Sequence, residues 1–311
     1  SYSVTGVQTC ALPIFLSILQ IMSRQSLHHL PWIFILALAT TAISCRRIPD
    51  PPSPDDASLF AACVIPGSSA TIDIMTFNVQ GFPMAGYTSV TALSALVKAI
   101  DPDAVALQEV ASQADFNRLV KLMPGWTGAF YPIDNDDWNL AYLVKNAEME
   151  IIPGSARTLF EDDSYAFPRP PFEIMIRHKA SGRELLLINL HLKCCGGSDN
   201  ESRRRSASQQ LKDYLDRQRA DDAVVMLGDY NDEITSASAT ENPFLNFIDD
   251  PSGYSFADMA IAAGSQLWWS YPSWPSHIDH ILVTNELFAD IDTTVVIKAS
   301  PCYPDYSEVL S

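Results

Sequence analysis

The stretch Val224-Val225-Met226-Leu227-Gly228-Asp229-Tyr230-Asn231-Asp232 decides how the chain is read. Four apolar residues make a short buried strand, and Gly228 ends it. Asp229, Asn231 and Asp232 follow at once, where a strand running into a core should not place carboxylates and a carboxamide. The same shape recurs along the chain. Ile74-Met75-Thr76-Phe77 runs into Asn78, and Ala104-Val105-Ala106-Leu107 runs through Gln108 into Glu109. Leu185-Leu186-Leu187-Ile188-Asn189-Leu190 runs into His191, and His277-Ile278-Asp279 opens the run Ile281-Leu282-Val283.

Working outward, residues 71–79, 104–107, 140–144, 172–177, 184–192, 223–227, 278–283 and 293–297 read as strands, short and bounded by Gly, Pro or Asp. Residues 90–100 and 202–219 carry helical periodicity, the first stopped by Asp101-Pro102. Strands partly alternating with helices and partly in hairpins predict a mixed α/β sandwich. Each strand-end polar residue has an ordinary explanation alone, as a turn, a cap or a satisfied core histidine. Five of them, each at one edge of an apolar run, form a set that a hard cation and a phosphate require. Mg²⁺ prefers carboxylate and carbonyl oxygens and leaves positions open for substrate.

The 311 residues contain 20 Lys+Arg against 37 Asp+Glu, a formal charge of −17. That balance argues against holding nucleic acid on a broad basic surface, which needs Lys and Arg to neutralise phosphates. It leaves room for a phosphate held through a metal.

Taken in order, MTFNVQGF (75–82), DPDAVALQEV (101–110), LLLINLHLK (185–193), VVMLGDYND (224–232) and SHIDHILVT (276–284) resemble the motif series of the endonuclease/exonuclease/phosphatase superfamily. The resemblance spans about residues 70–311. It implies a deoxyribonuclease-I-like fold, an α/β four-layer sandwich of two mixed β-sheets flanked by helices, and metal-dependent hydrolysis of phosphate esters. It further implies Glu109 as the principal ligand of Mg²⁺, with Mn²⁺ or Ca²⁺ as alternatives, and Asn78 beside it. His191 would act on a phosphate oxygen, Asp229 on the attacking water, and Asn231 on the phosphoryl group. Asp279 would join the metal and hydrogen-bond network. Arg169 and Lys193 are weaker candidates for substrate contact. The partner implied is a phosphate ester, as nucleic acid, nucleotide or phospholipid headgroup, bound by a monomer. Two rivals share the fold: a sphingomyelinase-like phospholipase and a lipoprotein binding module without catalysis.

The ends read differently. Residues 4–14 resemble the translation of a sequencing-adapter oligonucleotide, so 1–21 is read as an extension outside the fold. Met22, Arg24 and the apolar run 32–43 form a signal peptide over 22–45. Ala42-Ile43-Ser44-Cys45 resembles a bacterial lipobox that would lipidate Cys45, tethering an exported protein to the cell envelope by an anchor. Residues 46–69 contain Pro49, Pro51, Pro52 and Pro54 and read as a semi-rigid tether, and 70–311 as the catalytic domain. Ser311 resembles the first residue of the family's closing Ser-Asp-His element. The expectation is that the reading frame continues with Asp-His and that this fragment is impaired without them. Asp305 is a possible substitute for that Asp.

Cys63, Cys194, Cys195 and Cys302 allow three complete pairings. Trp268, Trp269, Tyr271 and Trp274 read either as a stacking rim or as loop packing. Arg203-Arg204-Arg205 reads as a salt-bridge or phosphate group, or as a solvated face.

Overall fold

A computed structural model describes residues 3–5, 60–61, 63–133, 138–238, 240–271, 275–299 and 302. Strand parity builds its layers. In β9 (Glu184–His191), Leu185 and Leu187 point to one core while Leu186, Ile188 and Leu190 point to another. In β2 (Thr71–Phe82), Ile72 and Ile74 point to the first of these cores, and Met75, Phe77 and Val79 to a third. Side chains alternate across a strand, so a strand covered on both faces reads as an unbroken apolar run. The shared core, with Ala104, Tyr142, Ile174, Val225 and Ile281, is the seam between two sheets. The outer cores lie under helices α1 (Tyr87–Ile100) and α2 (Gln113–Leu122) on one side and α3 (Ser198–Gln218) on the other. The result is the four-layer α/β sandwich expected.

The first sheet has the order β1-β2-β3-β5-β4, with β1 at Ser3–Thr5, β3 at Ala104–Val110, β4 at Trp126–Tyr131 and β5 at Asn139–Lys145. The second has the order β11-β12-β10-β9-β8-β6, with β7 (Arg157–Thr158) paired to β8. Here β6 is Met149–Ile151, β8 Phe172–His178, β10 Val224–Asp229, β11 Tyr254–Phe256 and β12 Asp279–Thr284. Both sheets mix parallel and antiparallel pairs, with β9 and β10 parallel and β10 and β12 antiparallel.

One expected strand does not form. Residues 293–297 carry no ladder hydrogen bonds; Val295 and Ile297 instead pack against the first outer core. Val295, Val296 and Ile297 form an unbroken apolar run that is partly or fully buried without a partner strand. Strands β1, β4, β6, β7 and β11 and helix α2 lie where the sequence predicts no element, β1 within the segment read as lying outside the fold, and α1 and α3 start ahead of their periodic segments. A disulfide joins Cys63 to Cys302, and Cys194 and Cys195 are free. Among the described residues no helix is long and apolar enough to cross a membrane. Cys45, Trp274, Asp305 and Ser311 lie outside the described residues.

Candidate active site

The site is the place where the seam stops being apolar. Following the seam-facing positions, Ile74 and Ala106 give way to Thr76 and Gln108, and Leu187 gives way to Asn189. Gln108 Nε2 donates to Asn189 Oδ1 at 2.8 Å and to Thr76 Oγ1 at 3.0 Å. Asn189 Nδ2 donates to the carbonyls of Leu107 and Ala141. All three side chains are fully buried, and together they fasten one sheet to the other. Sequence reading passed over this pin. The signal available was parity, since Gln108 and Asn189 occupy positions that an apolar seam should fill.

One step further lie the expected residues. The strand register puts Asp229 level with His191 on one side and with Asp279 on the other, so three functional groups share one rung of β9, β10 and β12. Gly228 permits this spacing. Its φ is +145°, and an added Cβ would stand 2.1 Å from the Leu190 carbonyl oxygen. Across the seam, Asn78 Nδ2 donates to Glu109 Oε1 at 2.8 Å and to Asp229 Oδ2 at 2.9 Å, while its Oδ1 accepts from Gln80 N–H. Glu109 has φ +62°, within a register shift between Leu107 and Val110. A regular strand would turn Glu109 away from the seam that Gln108 faces. The irregularity brings both to one side, and left-handed backbone of this kind gathers at functional sites.

His191 Nε2 lies 3.7 Å from both Glu109 Oε1 and Asp229 Oδ2. Burial, and then the Arg169 charge, hold the His191 ring well below its usual range, so it is neutral. Burial pushes the Asp229 carboxyl up, against the hydrogen bonds it accepts from Asn78 and Asn231. Burial pushes Asp279 up further, helped by the charges of Asp229 and Glu109, although it accepts from Ser270. Asn231, with φ +55°, gives its N–H to Asp229 Oδ1 at 2.8 Å and its Nδ2–H to the Leu192 carbonyl.

Arg169 is buried and donates from Nη2 to the Leu192 carbonyl, behind the site. Lys193 is not brought into the cleft; its Nζ lies at Cys194 Sγ, 3.8 Å away. Arg204 proves to be neither a solvated nor a phosphate-facing charge. It is buried and ties Asp232 to the carbonyls of Lys193 and Cys195.

The cleft has a volume of about 550 Å³ and is lined by Asn78, Gln80, Met84, Glu109, Trp138, Cys194, Cys195, Asp229, Asn231, Tyr271, Ile278 and Asp279. Trp138 stands edge-on to His191 with ring centroids 6.3 Å apart, a contact that no sequence signal announced. Of the aromatic group before Asp279, Tyr271 lines the cleft, Trp269 donates to the Ile261 carbonyl, and Trp268 is exposed.

The residues present fit a divalent cation. Glu109, His191 and Asp229 each offer a ligand atom within 4.8 Å of the others. His191 Nδ1 and Asp279 Oδ1 are buried without a hydrogen-bond partner. Crowded carboxylates raise one another's proton affinity, and a cation relieves the same repulsion. A second group, Asp258, His277 and His280, is used up internally. Asp258 Oδ2 meets His277 Nε2 at 2.9 Å and His280 Nδ1 at 2.6 Å, and His280 Nε2 meets the Asp232 carbonyl at 2.9 Å. That group fastens the loop carrying Asn231 to β12.

A family model described as Endonuclease/Exonuclease/phosphatase family matches residues 75–300. Solved structures share the fold at low identity. An endonuclease/exonuclease/phosphatase from Bacteroides vulgatus matches with a TM-score of 0.53 at 16% identity, over 69% of this chain and 87% of that one. A mannosyl-6-phosphatase from Bacteroides thetaiotaomicron matches with 0.51 at 13%, over 69% and 86%. D. rerio TDP2, complexed with single-strand DNA product, matches with 0.51 at 14%, over 68% and 83%. No curated protein matches the chain.

Proposed function

The chain belongs to the endonuclease/exonuclease/phosphatase family, a family of phosphoester hydrolases, and from that premise we propose that it hydrolyses phosphodiesters at the Glu109–Asp229 cleft with Mg²⁺. The observation that supports this most is the single rung of His191, Asp229 and Asp279 facing Asn78 and Glu109 across the seam. Glu109, with Asn78 beside it, would hold the ion, which when bound would supply Lewis-acid polarisation of a phosphoryl oxygen. Asp229, made more basic by burial, is the group suited to take a proton from the attacking water. Neutral His191 offers Nε2, which stands 3.7 Å from Glu109 and Asp229, to a phosphate oxygen. Asp279 keeps its proton more readily than an ordinary carboxyl and serves as a donor beside it. Asn231, fixed at φ +55°, orients Asp229 through its N–H. A phospholipid headgroup is the second substrate class, favoured by Leu267 and Trp268, which are 73% and 57% exposed in the segment that leads to Tyr271.

The test pairs binding with turnover. Mn²⁺ titrated calorimetrically into the full chain should bind at one site and lose affinity in Glu109→Gln. Hydrolysis of bis(p-nitrophenyl) phosphate, p-nitrophenyl phosphate and sphingomyelin vesicles, each with Mg²⁺ or with EDTA, ranks the substrate classes. Equal Mn²⁺ binding by the variant, or diester cleavage indifferent to EDTA, would overturn the reading.

A further inference from the structure

Cys194 and Cys195 take no part in the chemistry proposed above, yet both line the cleft. Their Sγ atoms are in direct contact, and neither is bonded to another cysteine. Cys194 is half-buried and Cys195 exposed, so the pair is reachable from solvent. The backbone sets this arrangement. Cys195 has φ +77°, and Gly197 two residues on has φ +107°. Arg204 Nη1 holds the carbonyls of Lys193 and Cys195 at 2.6 and 3.0 Å. Lys193 Nζ, 3.8 Å from Cys194 Sγ, places a positive charge beside that sulfur. The fold also carries the Cys63–Cys302 disulfide, and disulfides form and persist in oxidising surroundings.

We propose that Cys194 and Cys195 are a reversible redox site on the cleft rim, closing to a vicinal disulfide by exchange with a low-molecular-weight or protein disulfide. In the first step the Cys194 sulfur attacks the donor R–S–S–R. The donor S–S bond breaks, and one thiolate leaves with the proton from Cys194. The Cys195 sulfur then attacks Cys194 in the mixed disulfide and expels the second thiolate, which takes the Cys195 proton. Two thiols are oxidised and one disulfide is reduced to two RSH. Reversal needs only a dithiol reductant. Adjacent α-carbons are about 3.8 Å apart across a trans peptide, short of the roughly 4.4–6.8 Å that disulfides prefer. A bond closed under that strain is readily reduced, which marks labile disulfides. Cys63 and Cys302, with Cα atoms 5.9 Å apart, lie within the preferred range and form the structural bridge. The inference does not depend on the hydrolytic reading.

Peptide mapping tests it cleanly, because trypsin cuts after Lys193 and Arg203 and isolates both thiols on residues 194–203. The full chain is equilibrated with oxidised glutathione, alkylated and digested. The expected peptide is two hydrogens lighter than the dithiol and carries no alkyl group. After mild dithiothreitol it should carry two alkyl groups, while Cys63–Cys302 remains closed. Cys194→Ser should leave Cys195 as a glutathione adduct, since no neighbour can resolve it. Two alkyl groups or two glutathiones on the oxidised wild-type peptide would overturn the proposal. So would a closed pair that resists dithiothreitol as well as Cys63–Cys302 does.

Discussion

Gln108→Leu tests the claim that a buried polar pin sets the two halves of the cleft against each other. The side chain is fully buried and serves Asn189 Oδ1 and Thr76 Oγ1, which are equally buried. An orphaned buried acceptor or hydroxyl costs about 1–3 kcal/mol, so the pair costs about 2–6. The greater apolarity of Leu returns about 1 kcal/mol, leaving an expected loss of about 3 kcal/mol. Urea unfolding followed by tryptophan fluorescence measures it, with the slope unchanged if the denatured state is unaffected. The pin also bears on the site. Glu109 follows Gln108 on one sheet, and His191 lies two residues beyond Asn189 on the other, 3.7 Å from Glu109. Mn²⁺ affinity should therefore fall about tenfold, the lower end of what losing an outer hydrogen-bond partner does to a metal site. In a double-mutant cycle with Asn189→Leu the coupling should reach at least about 1 kcal/mol. A loss below about 1 kcal/mol, or additivity in the cycle, would show that the pin carries neither stability nor position.

Three further outcomes follow. Asp279 has a raised proton affinity in the folded protein, so the native state binds more protons than the unfolded one. Stability conferred by that proton is full below the unfolded carboxyl range near pH 4 and drains as pH rises. The slope reaches about 1.4 kcal/mol per pH unit for one proton. Asp103, pushed up to about 6 chiefly by burial, adds a similar slope up to that pH. Asp279→Asn should remove only its own share, seen as a flatter curve of unfolding free energy against pH without metal; parallel curves would refute the assignment. Gly228→Ala forces a Cβ to 2.1 Å from the Leu190 carbonyl between β9 and β10, where backbone cannot yield. A loss of about 4 kcal/mol or more is expected by thermal melting, and a wild-type melt would exclude the close approach. Finally, expression from Met22 in a bacterium fed labelled palmitate should label the chain, and Cys45→Ser should not; label on both would remove Cys45 as the acylated residue.

Much of the site was legible because its residues break a rule that buried strands otherwise keep. Asn78, His191, Asp229 and Asp279 each stand where an apolar run should end in a turn or continue in core, and that local conflict is written in the order of residues. A layered sandwich was legible for a related reason, since runs such as Leu185–Ile188 have no polar side and both faces must be covered, whereas the number of layers came only with the family resemblance. Residues 293–297 show the limit of that logic, because an apolar run can be buried against a core without any partner strand.

What tertiary structure alone decided was adjacency. That Asp229 stands level with both His191 and Asp279 depends on ladder register, which is set by the pairing of segments far apart in the chain. That Gln108 and Glu109, consecutive in the chain, both serve the seam depends on a backbone irregularity that period-two reading forbids. Lys193 is one of the weaker candidates for substrate contact in the sequence, and only the fold places its ammonium by Cys194. Composition and spacing name the groups able to do chemistry. Only the pairing of strands, with its distances of a few ångströms, selects which of them meet.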